Sequence, residues 1–155
     1  MATTPPGAAY PPVAFHFVVS FGTPALDPDC SFREVSGIGP EMELESVAEG
    51  GENRFTWQLP KAVKHPRLVL KRGVGPYTSR LVTWCRNVLE GGLEQPVVPK
   101  LMRVALLDEL RAPIRMWSFT NALPVKWDVE PFNSTKNEVA MEKVELAYAY
   151  SKREL

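Results

Sequence analysis

The chain has 155 residues, 45% of them hydrophobic and 23% charged, the composition of one ordinary globular domain with a core of its own. Eighteen basic residues balance eighteen acidic ones. No long-range field therefore draws it to nucleic acid or to an anionic membrane.

Residues 1–12 hold Pro5, Pro6, Pro11 and Pro12 around Gly7. Such a stretch propagates neither a helix nor a sheet ladder, and a flexible or extended arm is predicted. It also lacks the basic region and apolar run of a secretory signal, and no apolar run in the chain approaches the ~20 residues that span a bilayer. From Val13 on, Val13, Phe15, Phe17, Val19 and Phe21 alternate with smaller or polar residues, the period of a strand with one buried face. Pro24, Asp27, Pro28 and Asp29 make a turn-rich loop, and a short strand at 32–36 ends in Gly37-Ile38-Gly39-Pro40. The next strand carries Met42, Leu44 and Val47 on one face and Glu41, Glu43 and Glu45 on the other. Ala48, Glu49, Gly50, Gly51, Glu52 and Asn53 form a loop. Phe55, Trp57 and Leu59 then alternate with Arg54, Thr56 and Gln58 as an amphipathic strand, and a further strand near 68–71 stops at Arg72-Gly73.

One helix is predicted over 78–89, because Leu81, Trp84, Cys85 and Val88 fall at helical spacing. Thr78 or Ser79 caps it and Gly91-Gly92 ends it. Residues 101–107 are apolar on both faces apart from Arg103, which places that strand centrally. A turn at 108–111 leads into a strand at 114–119, and Val125, Trp127 and Val129 mark another. In the last segment, 137–150, the apolar residues switch from odd positions (Val139, Met141) to even ones (Val144, Leu146, Tyr148, Tyr150). A β-bulge near Glu142-Lys143 would reconcile them. The predicted fold is mainly β: two packed antiparallel sheets, as a sandwich or open barrel, with one α-helix. The domain organisation read from this is a proline-rich arm at 1–12, a β domain at 13–150 and a C-terminal tail at 151–155.

No catalytic constellation emerges. Two cysteines, Cys30 and Cys85, are read as reduced thiols, and with only His16 and His65 beside them the paired Cys/His zinc patterns are missing. Glu41, Glu43 and Glu45 lack the Asp/Asn spacing of a calcium loop and read as a solvated or lumen-facing strand side. Arg72-Gly73-Val74-Gly75-Pro76 precedes the helix but matches neither phosphate-binding glycine pattern. Lys61, Lys64, His65, Arg67, Lys71 and Arg72 form a basic cluster without interleaved aromatics, which favours a charged contact surface over nucleic acid. What the strands do offer is edges with unpaired backbone groups, which pairing with identical neighbours in a closed ring would remove.

Several stretches, in their order and spacing over residues 14–148, resemble the phage tail tube protein family. They are Phe32-Arg33-Glu34-Val35-Ser36-Gly37-Ile38, Glu49-Gly50-Gly51-Glu52-Asn53, Leu59-Pro60-Lys61, Leu70-Lys71-Arg72-Gly73 and Ala105-Leu106-Leu107-Asp108-Glu109, followed by the segments 117–126 and 137–147. The likeness is greatest to the branch found in extracellular contractile injection systems, phage-tail-like particles that deliver protein toxins. It implies a non-enzymatic subunit without a cofactor, six copies of which close into a ring. Rings stack into a tube inside a sheath, and sheath contraction drives the tube through a target membrane. The implied partners are further copies of the chain, the sheath protein, baseplate and spike proteins, tube paralogues and protein cargo in the lumen, with no dedicated nucleic-acid binding. The loop 48–53 is implied to reach the adjacent ring. Ala62 and Arg111 stand where such proteins often have glycine. The resemblance also implies synthesis in a bacterial cytoplasm without a signal peptide, and assembly into a particle that stays there or is released. Two other readings are a specialised tube initiator next to the baseplate and, in a different class, a monomeric carbohydrate-binding β-sandwich that uses Trp57, Trp117 and Trp127 as stacking platforms.

Overall fold

The computed structural model describes residues 16–21, 29–74, 79–131, 133–136 and 139–155; the arm expected at 1–12 and the strand start expected at 13–15 lie outside them. The elements in chain order are β1 (His16–Phe21), β2 (Asp29–Phe32), β3 (Glu34–Ser36), β4 (Glu41–Val47), β5 (Trp57–Lys64), β6 (Leu68–Gly73), α1 (Arg80–Leu89), β7 (Lys100–Leu107), β8 (Pro113–Val129), β9 (Met141–Ala147) and β10 (Tyr150–Arg153). Eight strands form one antiparallel path, β2-β1-β7-β8-β9-β6-β3, with β10 added to β8. The run 101–107 is indeed central, flanked by β1 and β8.

The expected pair of antiparallel sheets is present, and β8 belongs to both. Its first part pairs with β7 and its last part, from Leu123, with β9. The sequence reading placed separate strands at 114–119 and around Val125, Trp127 and Val129, yet β8 runs through both without a break. Asn121 takes a positive φ of 54° near the change of partner, and the register shifts between Pro124 and Lys126. Such an irregularity bends a strand and lets it turn from one sheet into the next. The two ends of the path meet as well: only Arg33 separates β2 from β3, and its N–H donates to the Lys71 carbonyl at 2.9 Å. Residues 150–153 carry the chain into β10, so the segment expected as a tail begins inside a strand paired with 117–120.

The core between the sheets holds Val19, Leu70, Met102, Val104, Phe119 and Val144, and α1 closes it with Leu81, Trp84 and Cys85. Burying one such side chain stabilises the fold by roughly 1.5–3 kcal/mol. Of the two predicted caps, Ser79 is the one used, accepting from the Val82 N–H at 3.4 Å. Cys85 is a reduced thiol inside the core.

The bulge expected near Glu142-Lys143 is not there. Residues 141–146 pair with β6 in unbroken register, and the even positions Glu142, Val144 and Leu146 all point inward. Val139, whose odd position suggested a phase change, lies before the strand and is exposed. Glu142 takes an inward position because Arg72, directly opposite on β6, is buried with it as an ion pair. The Arg72 guanidinium also donates to the Ser79 hydroxyl at 2.9 Å and lies over the Phe32 ring, while the Trp127 indole N–H donates to Glu142 at 3.4 Å. One buried charge pair thus ties β6 and β9 to the cap of α1.

Candidate assembly surface

Among the described residues β4 and β5 pair only with each other, so they stand off the barrel as a two-stranded ribbon. The apolar residues of these strands, read from the sequence as one side of each, lie outside the core. Every residue of β5 and all of β4 except Glu43 are exposed. Met42 keeps 53% of its surface open and Trp57 51%, and Leu44, Val47, Phe55, Leu59 and Val63 are similarly open. A monomeric protein rarely leaves a contiguous apolar patch beyond a few hundred Å² uncovered, and larger ones mark interaction sites.

The ribbon's root is held firmly. Gly37 has φ +84°, and a Cβ added there would lie 2.0 Å from the Arg67 carbonyl oxygen, so the two legs of the hairpin cross at a point only glycine allows. The Tyr148 hydroxyl donates to the Gly37 carbonyl at 3.2 Å, with the His65 ring 5.5 Å from the tyrosine ring. Arg67 pairs with Glu145 on β9 at 3.1 Å. That hydrogen bond, with help from Lys143, holds the Glu145 carboxyl below its ordinary pKa.

The loop singled out from sequence, Ala48, Glu49, Gly50, Gly51, Glu52 and Asn53, forms the tip of the ribbon. Glu52 N–H donates to the Glu49 carbonyl at 3.2 Å, and Gly51 takes a φ of 93°. Beside the tip, Arg54 pairs with Glu52 at 2.9 Å and lowers its carboxyl pKa, while the Trp57 indole N–H donates to Glu49 at 3.1 Å. Phe55 packs edge-on against Trp57, with ring centroids 5.2 Å apart.

The rival sites lose their groups. Glu41, Glu43 and Glu45 lie along the free ribbon, and Glu43 pairs with Lys64 at 3.0 Å. Among the described residues no group of three His, Cys, Asp or Glu side chains could hold a metal ion. The basic cluster is dispersed: Arg67 pairs with Glu145, Lys71 with Glu130 and Arg72 with the buried Glu142, leaving Lys61 and Lys64 on the ribbon. Trp117 and Trp127 pack against the core, so they make no platform with Trp57. Residues 75–78, in the glycine turn before α1, lie outside the described residues. A cavity of about 610 Å³ beside α1 is lined by Phe21, Thr83, Trp84 and Lys100 among others, with no carboxylate or histidine among the described residues that line it. Among the described residues no helix is long and apolar enough to cross a membrane.

Comparison with known proteins agrees with this picture. The profile of the family described as T4-like virus tail tube protein gp19 matches residues 13–152. No curated protein matches the chain. Among solved structures, a chain of the 6-fold symmetrised baseplate of the anti-feeding prophage is 31% identical, with a TM-score of 0.77, over 94% of this chain and 96% of that one. A chain of the sheath–tube complex of PVC, an extracellular contractile injection system, in its extended state is 21% identical, with a TM-score of 0.71 over 95% and 93%. Hcp1 from Flavobacterium johnsoniae shares the fold at 16% identity and a TM-score of 0.56, over 90% and 95%.

Proposed function

This chain belongs to the T4-like virus tail tube protein family, and on that premise we propose that it is a structural subunit of the inner tube of a contractile, phage-tail-like injection system. Copies close into six-membered rings, the rings stack into a hollow rod inside a sheath, and the rod is driven through the target membrane when the sheath shortens. Its partners are further copies of itself, the sheath protein, the baseplate and the cargo in the lumen. It performs no catalysis and needs no cofactor.

The observation that carries this reading is the free ribbon. A subunit with seven large apolar side chains exposed on β4, β5 and their connection is incomplete alone and is completed by neighbours. Ring closure also removes the sheet edges that would otherwise recruit strands without limit. Within the assembly, the tip loop 48–53 makes the contact with the adjacent ring, and the β domain, with β10 as its last strand, forms the tube body.

A second reading is supported by one specific observation. The 31% identity to a baseplate chain exceeds the 21% identity to the sheath–tube chain, which favours a paralogue seated where the tube begins. Negative-stain imaging and mass measurement of the purified protein test the main proposal. Six-fold rings or rods of uniform width are expected, and a monomer at millimolar concentration that binds an oligosaccharide would overturn it. Gold labelling of intact particles separates the two tube readings: label along the whole shaft marks the main tube, label at one end the initiator.

A further inference from the structure

The cavity beside α1 has a lining with a definite chemical sense. Arg80, Trp84 and Asn87 recur at four- and three-residue steps, so one stripe of the helix lines it, while Leu81 and Cys85 turn to the core. Phe21 at the end of β1, with Lys100 and Leu101 at the start of β7, forms the other wall. The pairing of Phe21 with Met102 holds these two strand ends together. The Phe21 and Trp84 rings meet edge to face with centroids 5.1 Å apart, which fixes an aromatic floor. At about 610 Å³ the space has the size of a small-molecule site rather than of a packing defect.

Two polar groups at this cavity lack the partner their chemistry calls for. The Lys100 ammonium lies 5.6 Å over the Trp84 ring, and among the described residues no carboxylate pairs with it. Trp84 is 6% exposed, yet its indole N–H is buried without an acceptor among the described residues. A buried donor in that state is costly, and a bound molecule is one way of completing it. Both groups are donors, so the missing chemistry is an acceptor, and the ammonium, with Arg80 also in the lining, makes it an anion. No acid stands among the described lining residues, so that negative charge has to arrive with the ligand. A small hydrated anion such as phosphate does not suit an apolar floor, which offers nothing in return for its lost water. We propose that this cavity binds an amphiphilic monocarboxylate, an apolar chain ending in one carboxylate. The chain lies along Phe21, Trp84 and Leu101, and the carboxylate meets Lys100. All of these residues belong to one subunit, so the site is independent of the ribbon and of assembly.

The test uses the full chain with decanoate as the probe, below its micelle concentration. Isothermal titration is expected to show saturable binding of about one decanoate per chain, and none of acetate or decyltrimethylammonium. Lys100 is exposed, so Lys100→Gln should leave the circular dichroism unchanged while weakening decanoate binding by about tenfold or more. Asn87→Trp fills the cavity from the helix and should abolish binding with Lys100 still in place. The ribbon is the rival apolar surface, so Met42→Ser with Leu59→Ser is the control and should bind decanoate as the parent does. Absence of saturable binding overturns the site. Equal binding of decyltrimethylammonium would show a surface indifferent to charge and overturn it too. Binding that Lys100→Gln leaves unchanged, or that the ribbon variant removes, would place the ligand elsewhere with the same result. A protein that binds decanoate but never forms rings would keep the site and sink only the tube reading.

Discussion

At the scale of single residues, the Arg72–Glu142 pair is the costliest feature to disturb. Both side chains are at most 3% exposed, so removing one partner strands a charge in the core. Breaking such a pair costs about 3–5 kcal/mol, whereas replacing both partners with apolar groups is often neutral. Arg72→Met is therefore expected to lower the unfolding free energy by about that amount, and adding Glu142→Leu should restore most of it. Urea denaturation of the three proteins measures both effects; a single variant as stable as the parent would contradict the assigned burial. Glu145 gives the pH dependence. Its pKa is lowered by Arg67 first and Lys143 after, so its contribution is present above the ordinary carboxylate value and lost as pH falls through the lower folded one. Glu145→Gln should therefore be less stable than the parent at neutral pH, and the gap should close in acid. A gap that stays constant between pH 7 and pH 3 would refute the linkage.

At the scale of elements, the hairpin root makes the sharpest demand. Alanine at Gly37 would put a Cβ against the Arg67 carbonyl at a φ of +84°, a strain on the order of 1–3 kcal/mol. Gly37→Ala is expected to speed hydrogen exchange in the β4 and β5 amides and to reduce assembly while the amides of β7 stay protected. Uniform loss of protection across the barrel would show instead that the root is part of the global fold. The same elements explain what the sequence revealed. α1 was legible because Leu81, Trp84 and Cys85 turn to one buried layer at helical spacing, and β7 because apolar residues on both of its faces mark a central strand. The phase of β9 was misread because Glu142 counts as polar in any pattern, and its partner lies 70 residues away. The exposure of the ribbon was not legible for a different reason: amphipathic alternation marks an apolar face and says nothing of which chain covers it. The register shift between Glu43 and Leu44, opposite Ala62 and Pro60, was hidden because a bulge is a property of pairing, not of either strand alone.

At the scale of the whole molecule, the barrel and its ribbon divide stability from assembly. The barrel core is complete without β4 and β5, none of whose residues belongs to it. The tip can therefore be altered with little effect on folding. Deleting residues 49–53 leaves Ala48, Arg54, Phe55 and Thr56 between the paired Val47 and Trp57, enough for a four-residue hairpin loop. What is lost is local: the Glu52–Arg54 ion pair and the Glu49–Trp57 hydrogen bond, both exposed, where solvent screening leaves such contacts little weight in stability. The deletion protein should melt within a few degrees of the parent and still close into rings through its remaining ribbon, but fail to stack them. Imaging is decisive because the two failures look different: scattered single rings support the role of the tip, full-length rods refute it, and monomers would mean that the loop serves ring closure rather than stacking. A subunit built this way folds before it meets its neighbours, since what holds it together and what holds it to them are different parts of the same chain.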